Sequence, residues 1–269
     1  MMKMNFYPKL YQPFHLVTVS PWPILMSFSV MIFLMGVILW FHYKDLIFMI
    51  FGVFVMVLCM FQWWRDVIRE SMYQGMHTYK VIKGLSIGMM LFIVSEVFFF
   101  ISIFWCYFHF FLSPSIEIGA LWPPKNIIAF NPYSIPLLNT VILLSSGVMI
   151  TLSHYTLILN DKKFSMDTMM ITLLLAFIFT LFQYMEYKEA SFTISDSSYG
   201  SIFFMSTGFH GFHVIIGSIF LVVTLIRMNN NSMSWNHHLC FEMASWYWHF
   251  VDVVWLFLYL LVYFWSFSG

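Results

Sequence analysis

Residues 84–112 read GLSIGMMLFIVSEVFFFISIFWCYFHFFL, an apolar run of twenty-nine residues with one carboxylate, Glu96, and one imidazole, His109. At about 1.5 Å of rise per residue, a helix of this length exceeds a bilayer core of about 30 Å. We therefore expect it to cross the membrane with tilt or to project beyond it. Glu96 lies near the middle of the run, where a carboxylate must face protein, lipid headgroups or water rather than acyl chains.

The composition of the whole chain agrees with this first run. The chain is 61% hydrophobic and 9% charged, with a mean hydropathy of +0.83, which excludes the soluble globular classes. Its apolar runs do not alternate with polar residues as the strands of a membrane barrel would. The formal net charge of +0 argues against a nucleic-acid partner.

The apolar runs predict an all-α polytopic membrane protein with a single transmembrane domain over residues 1–269. The seven predicted helices cover residues 22–41, 46–72, 79–112, 135–159, 164–187, 199–227 and 241–264. The N-terminal residues show neither the apolar run of a signal peptide nor the Arg- and Ser-rich composition of a transit peptide, so no cleaved address is expected.

Lysine and arginine predict the orientation. With seven spans, the N-terminus and the loops after helices 2, 4 and 6 share one side of the membrane. That side holds Lys3, Lys9, Arg65, Arg69, Lys80, Lys83, Lys162, Lys163 and Arg227, whereas the other side holds Lys44, Lys125 and Lys188. This bias predicts that the N-terminus stays on the side from which the protein is inserted.

Helices 6 and 7 carry most of the other polar residues expected inside the membrane. Glu242, His249 and Asp252 are spaced by seven and three residues and so share one face of helix 7. With His210 and His213 on helix 6, we predict a buried polar network. It would be either a static interhelical lock or a proton relay.

Metal and haem ligation are less favoured by the histidine spacing. His210 and His213, at i and i+3, could share a metal ion if a third ligand were present. A di-haem electron carrier would need pairs of histidines on separate helices, which the chain lacks. We therefore predict no metal ligands and no catalytic residues.

The charge-dense end of helix 2 is expected to leave the membrane. Arg65, Asp66, Arg69 and Glu70 sit at spacings that allow i,i+4 pairing along one helix. Basic side chains beside tryptophan at this depth suit either lipid phosphates or ordinary snorkelling.

Nine blocks of sequence are distinctive and occur in order along the chain. They are SPWP (20–23), QWWRDVIRES (62–71), GMMLFIVSEVFFF (88–100), WPP (122–124), PLLNT (136–140), FTISD (192–196), YGSIFF (199–204), TGFHGFHVIIGS (207–218) and WYWHFVDVVWLFLY (246–259). These blocks resemble the subunit III family of haem-copper oxidases, in its mitochondrial cytochrome c oxidase form, over nearly the whole chain.

The resemblance implies seven helices in two groups, helices 1–2 and 3–7, which form a V-shaped, lipid-filled cleft. It implies a non-catalytic core subunit of complex IV, which transfers electrons from cytochrome c to oxygen and pumps protons. The subunit would stabilise the catalytic core, bind structural phospholipids and support proton uptake, with haem and copper held by subunits one and two.

The same resemblance implies partners, location and lipid positions. The partners are subunits one and two, accessory subunits, phospholipids and a respiratory supercomplex. The location is the mitochondrial inner membrane, with the N-terminus in the matrix and the C-terminus in the intermembrane space. Together, the resemblance and the boundary charges predict lipid-binding positions at Trp64, Arg65, Arg69, Glu70, His77, Glu96, Trp105 and Arg227.

A rival hypothesis is an independent proton-coupled transporter that uses Glu96 and Asp252. Transporters of that kind show inverted repeats and broken helices, and the sequence has neither.

Overall fold

The structure, a computed structural model, describes residues 12–116 and 119–268. Lys3 and Lys9, which contribute to the predicted charge bias, lie outside the described residues. The described chain is built from helices and contains no strand. This confirms the predicted all-α class.

Within the described residues, seven helices are long and apolar enough to span a membrane, which is the predicted number. They are α1 (Trp22–Tyr43), α2 (Ile47–Met72), α3 (Tyr79–Leu112), α4 (Ile135–Ile158), α5 (Lys162–Glu189), α6 (Ser198–Asn229) and α7 (Leu239–Leu258). Beyond Leu258 the chain continues as a π-helical segment, Tyr259–Trp265, and one further turn, Ser266–Ser268. With 34 residues, α3 is about 50 Å long and exceeds the thickness of a bilayer core.

Local side-chain chemistry explains where several helices begin. Asp161 accepts a hydrogen bond from the backbone N–H of Phe164, and this cap starts α5 two residues before the expected position 164. Ser197 caps α6 in the same way, through the N–H of Gly200. Pro23 and Pro136 occupy the first turns of α1 and α4, where their missing N–H costs nothing.

The chain divides into two compact units, residues 1–85 and 86–269. The first holds α1, α2 and the start of α3; the second holds the rest of α3 and α4–α7. The division agrees with the expected grouping of helices 1–2 and 3–7. The V-shaped cleft and the single transmembrane domain stay predictions.

In the first unit, α1 and α2 pack side by side with unusually close backbones. A Cβ added to Gly36 would lie 2.5 Å from the Cα of Met49, and one added to Gly52 would lie 2.6 Å from the Cα of Phe33. Small residues of this kind let membrane helices approach closely. Both glycines are buried, and each makes room for the facing helix.

In the second unit, α4 packs on α5, α5 on α6, and α7 on both α6 and α4. In the last span, Leu239–Trp265, half of the most apolar stretch is buried, against 6% of that in α3, so α7 lies at the centre of this unit. Two buried tryptophans of α7 bond to α4: Trp248 donates to Ser146 Oγ at 2.9 Å, and Trp255 donates to Thr140 Oγ1 at 3.0 Å. These bonds fix the register of the two helices.

Candidate functional site

The carboxylate of Glu96 meets the imidazole of His213, and this contact joins α3 to α6. Glu96 Oε2 lies 2.6 Å from His213 Nε2, and the two side chains are 25% and 8% exposed. The other ring nitrogen, Nδ1, lies 2.6 Å from the carbonyl of Phe209 and donates to it. Because Nδ1–H is used there, the contact with Glu96 requires one further proton, carried by either the ring or the carboxyl group.

Aromatic rings surround the imidazole of this Glu96–His213 pair. The ring of Phe100 lies 5.1 Å from that of His213, and the rings of Phe99, Tyr247 and Phe250 lie 6.3–6.4 Å away. In such apolar surroundings an unpaired carboxylate would be costly, and the hydrogen bond to His213 offsets this cost for Glu96. The arrangement can hold a proton and link two helices.

On α7, His249 and Asp252 face each other as an i,i+3 pair. His249 Nδ1 lies 3.7 Å from Asp252 Oδ2, and the Asp252 side chain is 8% exposed. The Asp252 carboxylate presses against Gly147 of α4, at a point where an added Cβ would collide with it. The Asp252 side chain of α7 thus packs directly against the backbone of α4 at Gly147.

Glu242 does not join these residues, and the prediction of burial is wrong both for Glu242 and for His249, whose side chain is 40% exposed. Glu242 lies in the first turn of α7, is 36% exposed, and faces His238 with 3.4 Å between His238 Nε2 and Glu242 Oε1. Ten residues of helix put it about 15 Å from Asp252 along the axis, too far for a shared hydrogen-bond network.

His210 and His213 bond to different groups and do not converge on one point. His210 Nε2 lies 3.2 Å from the carbonyl of Val251 on α7, whereas His213 bonds to Glu96 on α3. The i,i+3 spacing that would suit a shared metal ion therefore serves contacts with two different helices.

At the charged end of α2, Asp66 is the centre of the ion pairs. Arg65 lies 3.0 Å from its carboxylate, Arg69 lies 3.8 Å away at i,i+3, and Trp22 donates its Nε1–H to it at 2.8 Å. The expected i,i+4 pairing is wrong, because positions four apart carry like charges: two arginines and two carboxylates. Glu70 instead lies 3.4 Å from His15.

The other predicted lipid positions are spread over both units. Trp64 is 58% exposed in the first unit, where the ring of His77 lies 6.1 Å from that of His15. In the second unit Trp105 is 76% exposed, and Arg227 Nε is buried without a hydrogen-bond partner among the described residues. Lipid binding by these residues stays a prediction.

Two polar features escaped the sequence analysis. Glu186 on α5 is 1% exposed; its i,i+3 spacing from the buried Gln183 on the inner face of α5 was the signal that could have found it. A second group brings His154, His238 and Glu242 together, with one ligand atom from each within 4.8 Å of the others. From the sequence, only the i,i+4 spacing of His238 and Glu242 could be recognised, because His154 is far away in the chain.

Comparison with known proteins gives one consistent result. A family model described as cytochrome c oxidase subunit III matches residues 12–267. Cytochrome c oxidase subunit 3 of Drosophila melanogaster is 55% identical over 254 residues, which cover 94% of this chain and 97% of that protein. The subunit 3 proteins of Heterololigo bleekeri and Rhipicephalus sanguineus are 53% and 50% identical, covering 94% and 95% of this chain and 98% and 100% of their own lengths.

Proposed function

The chain belongs to the cytochrome c oxidase subunit III family and is a membrane-spanning subunit of that oxidase, and we propose that it holds no redox centre of its own. Haem and copper would then lie in subunits one and two. The histidines within α6 and α7 support this proposal, because each has an oxygen partner inside the chain. His210 faces the carbonyl of Val251, His213 faces Glu96, and His249 faces Asp252.

The role that follows is structural support of the catalytic core together with support of proton uptake. The observation that carries it is the Glu96–His213 pair, because the one acidic residue in the middle of α3 is engaged by a neighbouring helix. The transporter hypothesis is not favoured: the family match points elsewhere, and its two acidic residues, Glu96 and Asp252, pair with different histidines.

The location that fits this role is the mitochondrial inner membrane, with the N-terminus in the matrix. Among the described residues, seven basic side chains fall on the N-terminal side of the seven spans. They are Arg65, Arg69, Lys80, Lys83, Lys162, Lys163 and Arg227. Three, Lys44, Lys125 and Lys188, fall on the other side, in keeping with the positive-inside rule.

Replacing Glu96 tests this role directly. In purified oxidase, we expect Glu96→Gln to keep the haem spectrum and the initial rate of cytochrome c oxidation, because the amide can donate to His213 Nε2. Glu96→Ala removes the α3–α6 hydrogen bond and should cost about 1 kcal/mol of stability. Its initial rate should be normal, but its activity should decline sooner over repeated turnover.

Ser95→Ala is the matched control, since the exposed Ser95 hydroxyl bonds, among the described residues, only to the carbonyl of Phe92 in its own helix. The control should match the wild type in haem spectrum, initial rate, stability and activity over repeated turnover. Loss of the haem spectrum in Glu96→Gln would contradict a non-catalytic role.

Lipid retention is the second property to be tested. Arg227 and Arg69 would contact lipid phosphates, and the unpartnered, buried Nε of Arg227 supports this assignment. We expect Arg227→Ala and Arg69→Ala each to lower the phospholipid content of the oxidase in native mass spectrometry. Lys188→Ala removes a cation at the opposite end of the helices and should leave the content unchanged. Unchanged content in both arginine variants would contradict the assignment.

A further inference from the structure

The group formed by His154, His238 and Glu242 lies where α4 ends and α7 begins. His154 comes from the last turns of α4, His238 immediately precedes α7, and Glu242 lies in the first turn of α7. One imidazole nitrogen of each histidine and one carboxylate oxygen lie within 4.8 Å of one another. Two side-chain types that bind transition metals thus meet at one point from two helices.

The ring of His238 is oriented by a hydrogen bond on its far side. Its Nδ1 lies 3.2 Å from the carbonyl of Ser234 and donates to it. The neutral ring then presents a lone pair at Nε2, and this atom lies 3.4 Å from Glu242 Oε1. Two acceptor atoms face each other, so a proton or a cation must lie between them. An Nδ1–H bonded to a backbone carbonyl is also the usual support of a metal-binding histidine.

His154 presents a nitrogen that nothing in the described chain satisfies. Its Nε2 is buried and has no hydrogen-bond partner among the described residues. The ring stacks on that of Phe241, with 5.2 Å between centroids, and Phe241 is 1% exposed, so the imidazole is held in place. The ring of His238 lies 5.2 Å away. A buried polar atom without a partner is costly, and a bound ion would remove this cost.

We propose that His154, His238 and Glu242 bind a divalent transition-metal ion of the zinc class. In tetrahedral coordination with bonds of about 2.0–2.1 Å, ligand atoms lie about 3.4 Å apart. The 3.4 Å between His238 Nε2 and Glu242 Oε1 matches this spacing, and His154 needs to approach by about 1.4 Å at most. Two imidazoles and one carboxylate leave the fourth position to water. Glu242, at 36% exposed, gives the ion a route from solvent.

The competing explanation is an ion pair between protonated His238 and Glu242, which needs no metal. The two explanations differ in what they require of His154. The ion pair does not involve His154, whereas the metal site uses its Nε2 as the third ligand. Changes at His154 therefore separate them.

The test counts zinc bound to the intact oxidase. Purified complex is stripped with a chelator, dialysed against graded concentrations of zinc chloride, and its bound zinc is measured by mass spectrometry relative to haem. We expect the wild type to bind one more zinc ion per complex at low concentration than His154→Leu and Glu242→Gln. Each variant should lower the zinc affinity of this site at least as much as the loss of a residue that only supports a metal ligand, which costs about 10- to 100-fold.

His237→Ala is the matched control, because it removes the neighbouring histidine, which lies outside the group. It should bind as much zinc as the wild type. The haem spectrum and a native gel establish that each variant assembles; if His154→Leu does not, the near-isosteric Glu242→Gln and His154→Gln provide the comparison. Equal zinc binding by wild type and variants, or loss in Glu242→Gln but not in the His154 variants, would overturn the proposal.

Discussion

Replacing Trp248 by alanine should destabilise the oxidase subunit by about 3 kcal/mol and lower the temperature at which it leaves the purified complex. Trp248 is fully buried on α7, and its indole N–H donates to Ser146 on α4 at 2.9 Å. Its ring also contacts Gly217 of α6, where an added Cβ would lie 3.0 Å from Trp248 Cε3. The substitution therefore opens a cavity among three helices.

The expected loss of stability is estimated from soluble proteins and corrected for the apolar surroundings that lipid provides. Large aromatic residues cost about 3–5 kcal/mol when cut to alanine in soluble cores. In a membrane the transfer term is weaker, because lipid is itself apolar, but the packing and the hydrogen bond to Ser146 are still lost. We therefore expect a value at the lower end of that range.

Two companion variants make the Trp248 result interpretable. Trp248→Phe keeps most of the volume and loses the hydrogen bond, so it should cost about 1 kcal/mol. Trp105→Ala removes a tryptophan that is 76% exposed within this chain, and thermal denaturation followed on native gels should find a smaller loss than for Trp248→Ala. An equal loss in the two alanine variants would mean that packing among α4, α6 and α7 does not set the stability.

Substitution of Gly36 or Gly52 by alanine should disrupt the packing of α1 against α2, at a cost of about 1–3 kcal/mol each. An added Cβ would lie 2.5 Å from Met49 Cα in the first case and 2.6 Å from Phe33 Cα in the second. Both obstacles are backbone atoms, which cannot rotate away as a side chain can. The two helices would have to separate, and each variant should melt at a lower temperature than the wild-type complex.

Gly84→Ala serves as the control for these glycines. Gly84 lies in α3, in the same unit, and an added Cβ there meets nothing within 4 Å. Alanine is the better helix former by up to about 1 kcal/mol, so this variant should be neutral or slightly stabilising. Wild-type melting temperatures for Gly36→Ala and Gly52→Ala would show that the close approach is not required.

The sequence allowed a good prediction of which side chains are chemically unusual, and a poorer one of what they touch. Glu96 was singled out because a carboxylate is expensive in an apolar run. Its partner, His213, was predicted to join Glu242 and Asp252 instead, and it contacts Glu96 of α3. Helical spacing identifies residues on one face of one helix, but it carries no information about which helix that face meets.

The charged end of α2 illustrates the same limit at short range. The sequence shows Arg65, Asp66, Arg69 and Glu70 within six residues of one helix. In the structure, both arginines pair with Asp66. Glu70 turned to His15, which precedes α1. The i,i+4 spacing joins like charges and so gave no pairs, and the partner of Glu70 comes from the segment before α1.

By itself, the sequence determined the number of helices, their approximate bounds, the membrane environment and the family resemblance. These features depend on the lengths of apolar segments and on blocks of consecutive residues, and both are local properties of the sequence. Only the tertiary structure decided that Glu96 meets His213, that Gly36 and Gly52 seat the facing helix, and that His154 reaches His238 and Glu242. These contacts join residues far apart in the chain, and the side-by-side packing of whole helices, rather than any local pattern, brings them together.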